Sequence, residues 1–257
     1  MSENRSTIEL EVVVVGSTEE VWRAIATGPG ISSWYVPHSV EERAGGVATA
    51  SFGPGPEMQV PGRVAVWDPP HRIVFDGGEG VGGMTFEWTI EPRDSGTCVV
   101  RLVNAGFGTG AEWDGQHDAM TGGWKLFMFN LKLHLEHFGG QTATTSLPMA
   151  VWPNSPESSV WQRLTNALGI SANPGLGDRI SANAADAPAL SGTVVDAGAN
   201  RLALLLDAPA TGTAIIAAEG MGETTAISIW MYLYGAGGRA AAERDEPLWT
   251  SWLASRS

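Results

Sequence analysis

The sequence is poor in cysteine, and this scarcity limits its covalent chemistry. Its 257 residues include one cysteine, Cys98, so no disulfide can form within the chain. Cys98 lies in an apolar, strand-like run, where a free thiol usually behaves as a small hydrophobic side chain. A single cysteine is consistent with a reducing compartment. The amino-terminal residues do not show the basic region followed by an apolar stretch that is typical of a secretory signal. Together these features predict a cytoplasmic protein.

Positive charge is also scarce. The chain carries 15 Lys and Arg against 28 Asp and Glu, for a formal net charge of −13. Nucleic acids and anionic membrane surfaces bind through clustered Lys and Arg, which this composition does not favour. The sequence therefore predicts neither partner, and we interpret the acidity as favouring solubility.

Long hydrophobic runs and the common cofactor motifs are missing as well. The most apolar segment, Arg201–Ala218, is interrupted by Asp207 and Pro209 and is unsuited to span a bilayer. The glycine-rich segments lack the lysine and Ser/Thr of a phosphate-binding loop, and there is no nucleophile elbow. His134 and His137 are three residues apart but have no evident third ligand. We therefore predict no metal and no cofactor.

Glycine and tryptophan, in contrast, are abundant, with 33 and 11 copies. Glycine, proline and aspartate separate short apolar segments, as the turns of an antiparallel sheet require. In Met84–Glu91, apolar and polar residues alternate, which is typical of a strand with one buried face. Trp124–Phe138 changes to a helical period, with Lys125, Lys132 and His134 expected on the outer face. The strands predicted before this helix are Val36–Glu42, Val47–Phe52, Met58–Trp67, Arg72–Phe75, Met84–Glu91 and Thr97–Asn104.

The two halves of the chain share one pattern, which indicates an internal duplication. V-W-R-A-I-A-T-G-P-G-I at Val21–Ile31 matches V-W-Q-R-L-T-N-A-L-G-I at Val160–Ile170. Both copies continue through strand-like segments to a helix that contains tryptophan. We predict two domains, residues 1–140 and 141–257, joined through a linker at Gln141–Ser146. The closing helix of the second copy, near Glu246–Ala254, is expected to be shorter, with a weaker cavity or none.

Several separated motifs in the first half occur in the order of a known family. They are Val21-Trp22, Trp34, Gly45-Gly46, W-D-P-P-H-R-I-V-F at 67–75, Gly96-Thr97, Gly106-Phe107 and G-W-K-L-F-M-F-N-L-K-L-H-L at 123–135. In these residues the half resembles the bacterial homologues of the heat-shock-protein-90 ATPase activator, within the START-like (SRPBCC) superfamily. The resemblance implies an α+β helix-grip fold, in which a curved antiparallel sheet wraps a long C-terminal helix. The duplication implies two tandem copies.

The resemblance also implies a cavity between the sheet and the helix, and superfamily members bind hydrophobic small molecules there. We expect its lining to come from the inner faces of the strands and the helix. The candidates are Trp34, His38, Phe52, Met84, Phe86, Trp88, Leu102, Asn104, Trp113, Trp124, Phe127 and Met128. Asn104 either points into the interior, where it requires a polar partner, or lies at a frayed strand end facing water.

Three functions remain open from the sequence. The first is non-catalytic binding of a hydrophobic small molecule. The second is a cyclase or dehydratase acting on a polyketide-like chain, which requires groups such as Asn104 and His38 to converge. The third is an interaction or co-chaperone-like module, which predicts an exposed apolar patch at Ile229–Tyr234 or Trp249–Leu253. A homodimer is also left open.

Overall fold

A computed structural model describes residues 7–53, 55–77, 83–108, 111–153, 156–182, 184–221 and 223–256. The chain divides into two compact units, Met1–Thr142 and Ala143–Ser257. Each unit has its own antiparallel sheet and its own hydrophobic core. No helix in the described ranges has both the length and the apolar character needed to cross a membrane.

The first unit is a seven-stranded antiparallel sheet with the order β1-β7-β6-β5-β4-β3-β2. Its strands are β1 (Thr7–Val15), β2 (His38–Val40), β3 (Val47–Ser51), β4 (Gln59–Asp68), β5 (Arg72–Asp76), β6 (Thr85–Arg93) and β7 (Thr97–Ala105). Its helices are α1 (Thr18–Ala26), α2 (Gly28–Ser32) and α3 (Ala111–Phe138). The predicted α+β helix-grip fold is confirmed, because six consecutive strands are followed by one long helix that contacts β1.

The spacing of Ser17 and Glu20 in the sequence predicts a capping box, and helix α1 begins at this capping box in the structure. The backbone N–H of Glu20 donates to the Ser17 hydroxyl at 3.3 Å, and the Ser17 N–H donates to the Glu20 carboxylate at 2.8 Å. These bonds satisfy two amide groups at the start of the helix. The indole of Trp34 then donates to the Ala24 carbonyl at 2.9 Å, and the Asn130 amide donates to the Trp34 carbonyl at 2.9 Å. Trp34 thereby links α1 to α3.

Helix α3 begins earlier than predicted, at Ala111 rather than Trp124. Its first half contains Gly115, Gly122 and Gly123 and has no regular apolar period, so the sequence gives no helical signal there. Its 28 residues give a length of roughly 42 Å. The expected orientation of His134 is wrong, because this side chain is 3% exposed and buried.

The second unit repeats the plan with one fewer meander strand. Its elements are β8 (Ala143–Ser146), β9 (Met149–Pro153), α4 (Glu157–Leu168), β10 (Arg179–Ser181), β11 (Ser191–Gly198), β12 (Arg201–Ala208), β13 (Gly212–Met221), β14 (Thr224–Tyr234) and α5 (Gly235–Ala254). The strand order is β10-β11-β12-β13-β14-β8, and β9 also pairs with β14.

Two sequence-based expectations for this unit are wrong. Gln141–Ser146 was predicted to be a linker, but Ala143–Ser146 pairs with β14 in the register Met231 to Ser146. The closing helix begins at Gly235 rather than near Glu246 and includes Pro247. Glycine and proline have low helix propensity, so this segment carries little local helical signal.

Large aromatic side chains fill the second core. Trp152, Trp161, Trp249 and Trp252 are each at most 4% exposed and belong to one cluster formed by the sheet, α4 and α5. The Trp152 indole donates to the Leu253 carbonyl at 3.0 Å, which fixes α5 against β9. This packing gives a physical reason to expect a smaller cavity here, or none.

Candidate ligand-binding cavity

The first unit has a partly open cavity between its sheet and helix α3. A larger chamber of about 350 Å³ adjoins a smaller chamber of about 130 Å³. The side chains and backbone that border both chambers belong to Tyr35, His38, Ala50, Phe52, Val60, Phe75, Phe86 and Trp124. The volume of the larger chamber lies in the range of about 300–1,000 Å³ that is common for small-molecule sites.

The space arises from small residues placed opposite large ones. Strand β3 contributes Ala48 and Ala50, which share a face because they are two residues apart. Helix α3 contributes Gly123, Trp124 and Phe127, which lie on one face of the helix and border the same chamber as the alanines. Alanine side chains end at Cβ, which leaves space beside the aromatic rings that border the same chamber.

Tyr35 is the centre of the aromatic wall. Its ring centroid lies 4.5 Å from that of Phe127, 5.0 Å from that of Trp124 and 6.0 Å from that of Phe52. Edge-to-face and tilted pairs of this kind contribute beyond their buried area. Burial raises the pKa of the Tyr35 hydroxyl, so the phenol stays protonated at neutral pH.

His38 is the principal polar group of the wall. Its Nδ1 lies 2.8 Å from the Val36 carbonyl oxygen, and its backbone N–H donates to the Ser32 hydroxyl at 2.9 Å. A carbonyl only accepts hydrogen bonds, so Nδ1 carries the proton and Nε2 is left as an acceptor. Burial lowers the pKa of His38, although the Val36 carbonyl opposes this shift, and the ring is therefore neutral at pH 7.

Asp76 also borders the larger chamber, but its charge is balanced. Arg63 donates to it through Nε at 3.1 Å and through Nη2 at 2.6 Å. This two-point pairing directs the carboxylate oxygens toward the guanidinium. The lining is therefore mainly apolar, with His38 offering a neutral acceptor.

Asn104 is buried, yet it does not line either chamber. Its Nδ2 donates to the Thr85 carbonyl at 3.0 Å, and its Oδ1 accepts a hydrogen bond from the Trp124 indole at 3.3 Å. The amide thus finds its partners within the protein. It positions Trp124, which borders both chambers.

The structure places eight of the twelve sequence candidates in the cavity wall. These are Trp34, His38, Phe52, Met84, Phe86, Trp88, Trp124 and Phe127. Leu102 and Met128 are buried in the packed core instead, where β7 and the C-terminal half of α3 meet other apolar side chains. Trp113 belongs to α3, and its side chain lies outside the described residues.

Sequence reasoning missed Tyr35, Val60, Phe75 and Met120, all of which border the cavity. Phe75 and Met120 each carried a usable signal. Phe75 ends a predicted strand, and Met120 precedes Trp124 by one helical turn. Within the described ranges, no group of three or more His, Cys, Asp or Glu side chains is placed to hold a metal ion.

Comparison with known families agrees with this geometry. Residues 16–136 match the family described as Activator of Hsp90 ATPase homolog 1-like protein. The resemblance inferred from the sequence motifs is thereby confirmed. All residues bordering the two chambers lie within the matched segment.

Two of the solved structures similar to this chain match it along nearly its whole length. DynU16, a protein in the dynemicin biosynthetic locus, is 17% identical over 98% of this chain and 96% of its own, with a TM-score of 0.45. The di-domain ARO/CYC BexL from the BE-7585A biosynthetic pathway is 18% identical over 96% and 92%, with a TM-score of 0.45.

About half of this chain is similar to the Aha1 dimer from Colwellia psychrerythraea. The identity is 17% over 51% of this chain and 96% of that chain, with a TM-score of 0.43. The fold assignment rests on the strand order and the helices described above, and not on these structural similarities. The curated proteins compared with this chain include no match.

Proposed function

We propose that the first unit binds an apolar small molecule in the cavity between its sheet and α3. The supporting observation is a space of about 350 Å³ lined mainly by apolar side chains, including Phe86, Trp124 and Phe127. Such a space leaves aromatic faces without packing partners, and an apolar ligand would supply those contacts. The binding free energy would come chiefly from removing apolar surface from water.

Filling the cavity tests this proposal. Ala50 borders both chambers, so Ala50→Trp places an indole in the ligand's space. Val47 lies on the same strand but is 57% exposed, so Val47→Trp adds the same group outside the cavity. We expect calorimetric titration with naphthalene to show binding to the parent chain and Val47→Trp, with at least tenfold weaker binding to Ala50→Trp.

Two outcomes contradict the proposal. One is that neither naphthalene nor a panel of apolar probes binds the parent chain, and that native mass spectrometry detects no retained ligand. The other is that Ala50→Trp binds naphthalene as tightly as Val47→Trp does, which would locate the ligand elsewhere.

The catalytic alternative has less support. It requires polar groups such as His38 or Asn104 to converge on one point inside the cavity, as acid–base chemistry demands. His38 borders the cavity, whereas the Asn104 amide is bonded to Thr85 and Trp124. We therefore favour binding over cyclase or dehydratase chemistry.

The interaction-module alternative depended on an exposed apolar patch, and the two stretches predicted to form that patch are largely buried. Ile229, Met231, Tyr232, Leu233 and Tyr234 are buried. The apolar residues of the second stretch are buried too: Trp249, Trp252 and Leu253. Neither stretch forms the exposed apolar patch that was predicted. The homodimer stays a prediction, which sedimentation of the purified chain would test.

A further inference from the structure

We propose that the ligand is a flat, uncharged aromatic alcohol whose hydroxyl donates a hydrogen bond to Nε2 of His38. This inference rests on the proposed function and adds the chemical class of the ligand. Three features support it: the fixed orientation of His38, the aromatic wall, and the absence of Lys and Arg among the described lining residues.

The orientation of His38 is set by its neighbours on both sides. The Nδ1–H donates to the Val36 carbonyl at 2.8 Å, and the backbone N–H donates to the Ser32 hydroxyl at 2.9 Å. Ser32 is itself anchored, because its hydroxyl donates to the Gly28 carbonyl at 2.7 Å. The imidazole therefore has one defined tautomer, and Nε2 makes no hydrogen bond with a described residue. A lone pair in an apolar cavity favours a ligand that donates a proton to it.

The remaining wall selects for a flat ring. Tyr35 lies next to His38, with ring centroids 5.5 Å apart. Phe86, Trp124 and Phe127 add further aromatic surface around the same space. Aromatic ligands gain offset or edge-on contacts with such rings, whereas a flexible chain must lose conformational freedom to fit.

The charges around the cavity favour a neutral ligand. Among the described residues that line the two chambers, there is no lysine or arginine. The carboxylate of Asp76 is paired with Arg63 through two hydrogen bonds. A carboxylate or phosphate ligand would be desolvated without a partner, which is costly. An alcohol avoids this cost and still satisfies Nε2.

A matched pair of ligands tests the inference. 2-Naphthol and 2-methylnaphthalene have the same ring system and similar size, but only the first donates a hydrogen bond. Calorimetric titration of the full chain should give about 3- to 10-fold tighter binding for 2-naphthol, the amount expected for one buried hydrogen bond. His38→Leu should abolish this preference and retain 2-methylnaphthalene binding, which also shows that the variant is folded. His38→Gln, which keeps an acceptor, should restore part of the preference.

The outcomes separate the two proposals. If both ligands bind the parent chain equally, or if His38→Leu keeps the preference for 2-naphthol, the alcohol inference is overturned while apolar binding stands. If neither ligand binds the parent chain, both proposals fail.

Discussion

The Oδ1 atom of Asn104 accepts a hydrogen bond from Nε1 of Trp124 at 3.3 Å. Asn104 is fully buried on β7, and Trp124 is on α3, so this bond joins the sheet to the helix across the core. The other end of the amide donates to Thr85 on β6. One polar side chain therefore sets the position of an indole that borders the cavity.

We expect Asn104→Ala to lower the free energy of unfolding by about 1–3 kcal/mol, because the Trp124 N–H and Thr85 carbonyl lose their partner in a buried site. Urea denaturation measures this change. Asn173→Ala replaces the same side chain at an exposed loop position, and should change stability by less than about 0.5 kcal/mol. Equal unfolding midpoints for the two variants would show that the Asn104 bonds contribute little.

Because His134 on α3 is buried, we expect the protein to lose stability in acid. Burial lowers the pKa of His134 from 6.5 to about 4. The unfolded chain therefore binds a proton at higher pH than the folded chain, and stability is lost as pH falls from 6.5 toward 4. Between pH 7 and pH 5, we expect this residue to account for about 2 kcal/mol of the decrease.

The test compares urea denaturation at pH 7 and pH 5. His134→Gln should lose about 2 kcal/mol less than the parent chain over this interval. His137→Gln, at an exposed position on the same helix, should behave as the parent does. Identical pH dependence in His134→Gln and the parent would mean that His134 is protonated alike in both states.

Gly30 marks the closest approach of α1 and α2. A Cβ atom at this position would lie 1.9 Å from the Arg23 carbonyl oxygen, which is part of the backbone and has little freedom to move. We expect Gly30→Ala to destabilise the first unit by about 1–3 kcal/mol, the usual range for overpacking.

Gly115→Ala provides the matched control for Gly30. Gly115 is on α3, and among the described residues no atom outside its chain neighbours and the adjacent helix backbone lies within 4 Å of a Cβ built there. This change should leave stability unchanged or raise it by up to ~1 kcal/mol, because alanine favours a helix over glycine. Thermal unfolding followed by circular dichroism distinguishes the two variants, and a Gly30→Ala variant as stable as Gly115→Ala would refute the close-packing argument.

The parts of the fold predicted from sequence are those with a local signal. The alternation in Met84–Glu91 and the spacing of Ser17 and Glu20 each report on neighbours along the chain, and the structure has the strand and the capped helix. The start of α3 around Gly115 lacks such a signal, because glycine has a low helix propensity.

The cavity was only partly predictable for a related reason. Its volume depends on the distance between Ala50 and the rings of Trp124 and Phe127, which belong to separate elements. The bonds of Asn104 likewise reach Thr85 and Trp124, whose positions follow from the complete fold. Patterns along the chain show which face of an element is apolar, but the fit between facing elements decides whether space remains.

The unfilled space between β3 and α3 makes the folded state sensitive to its occupant. A molecule that enters it is held only by the native arrangement of Tyr35, Ala50 and Trp124, since the unfolded chain does not assemble these surfaces. The melting temperature of the first unit should therefore rise with ligand concentration, by mass action. The melting temperature measured in a given solution should therefore report whether a compound that fits the cavity is present.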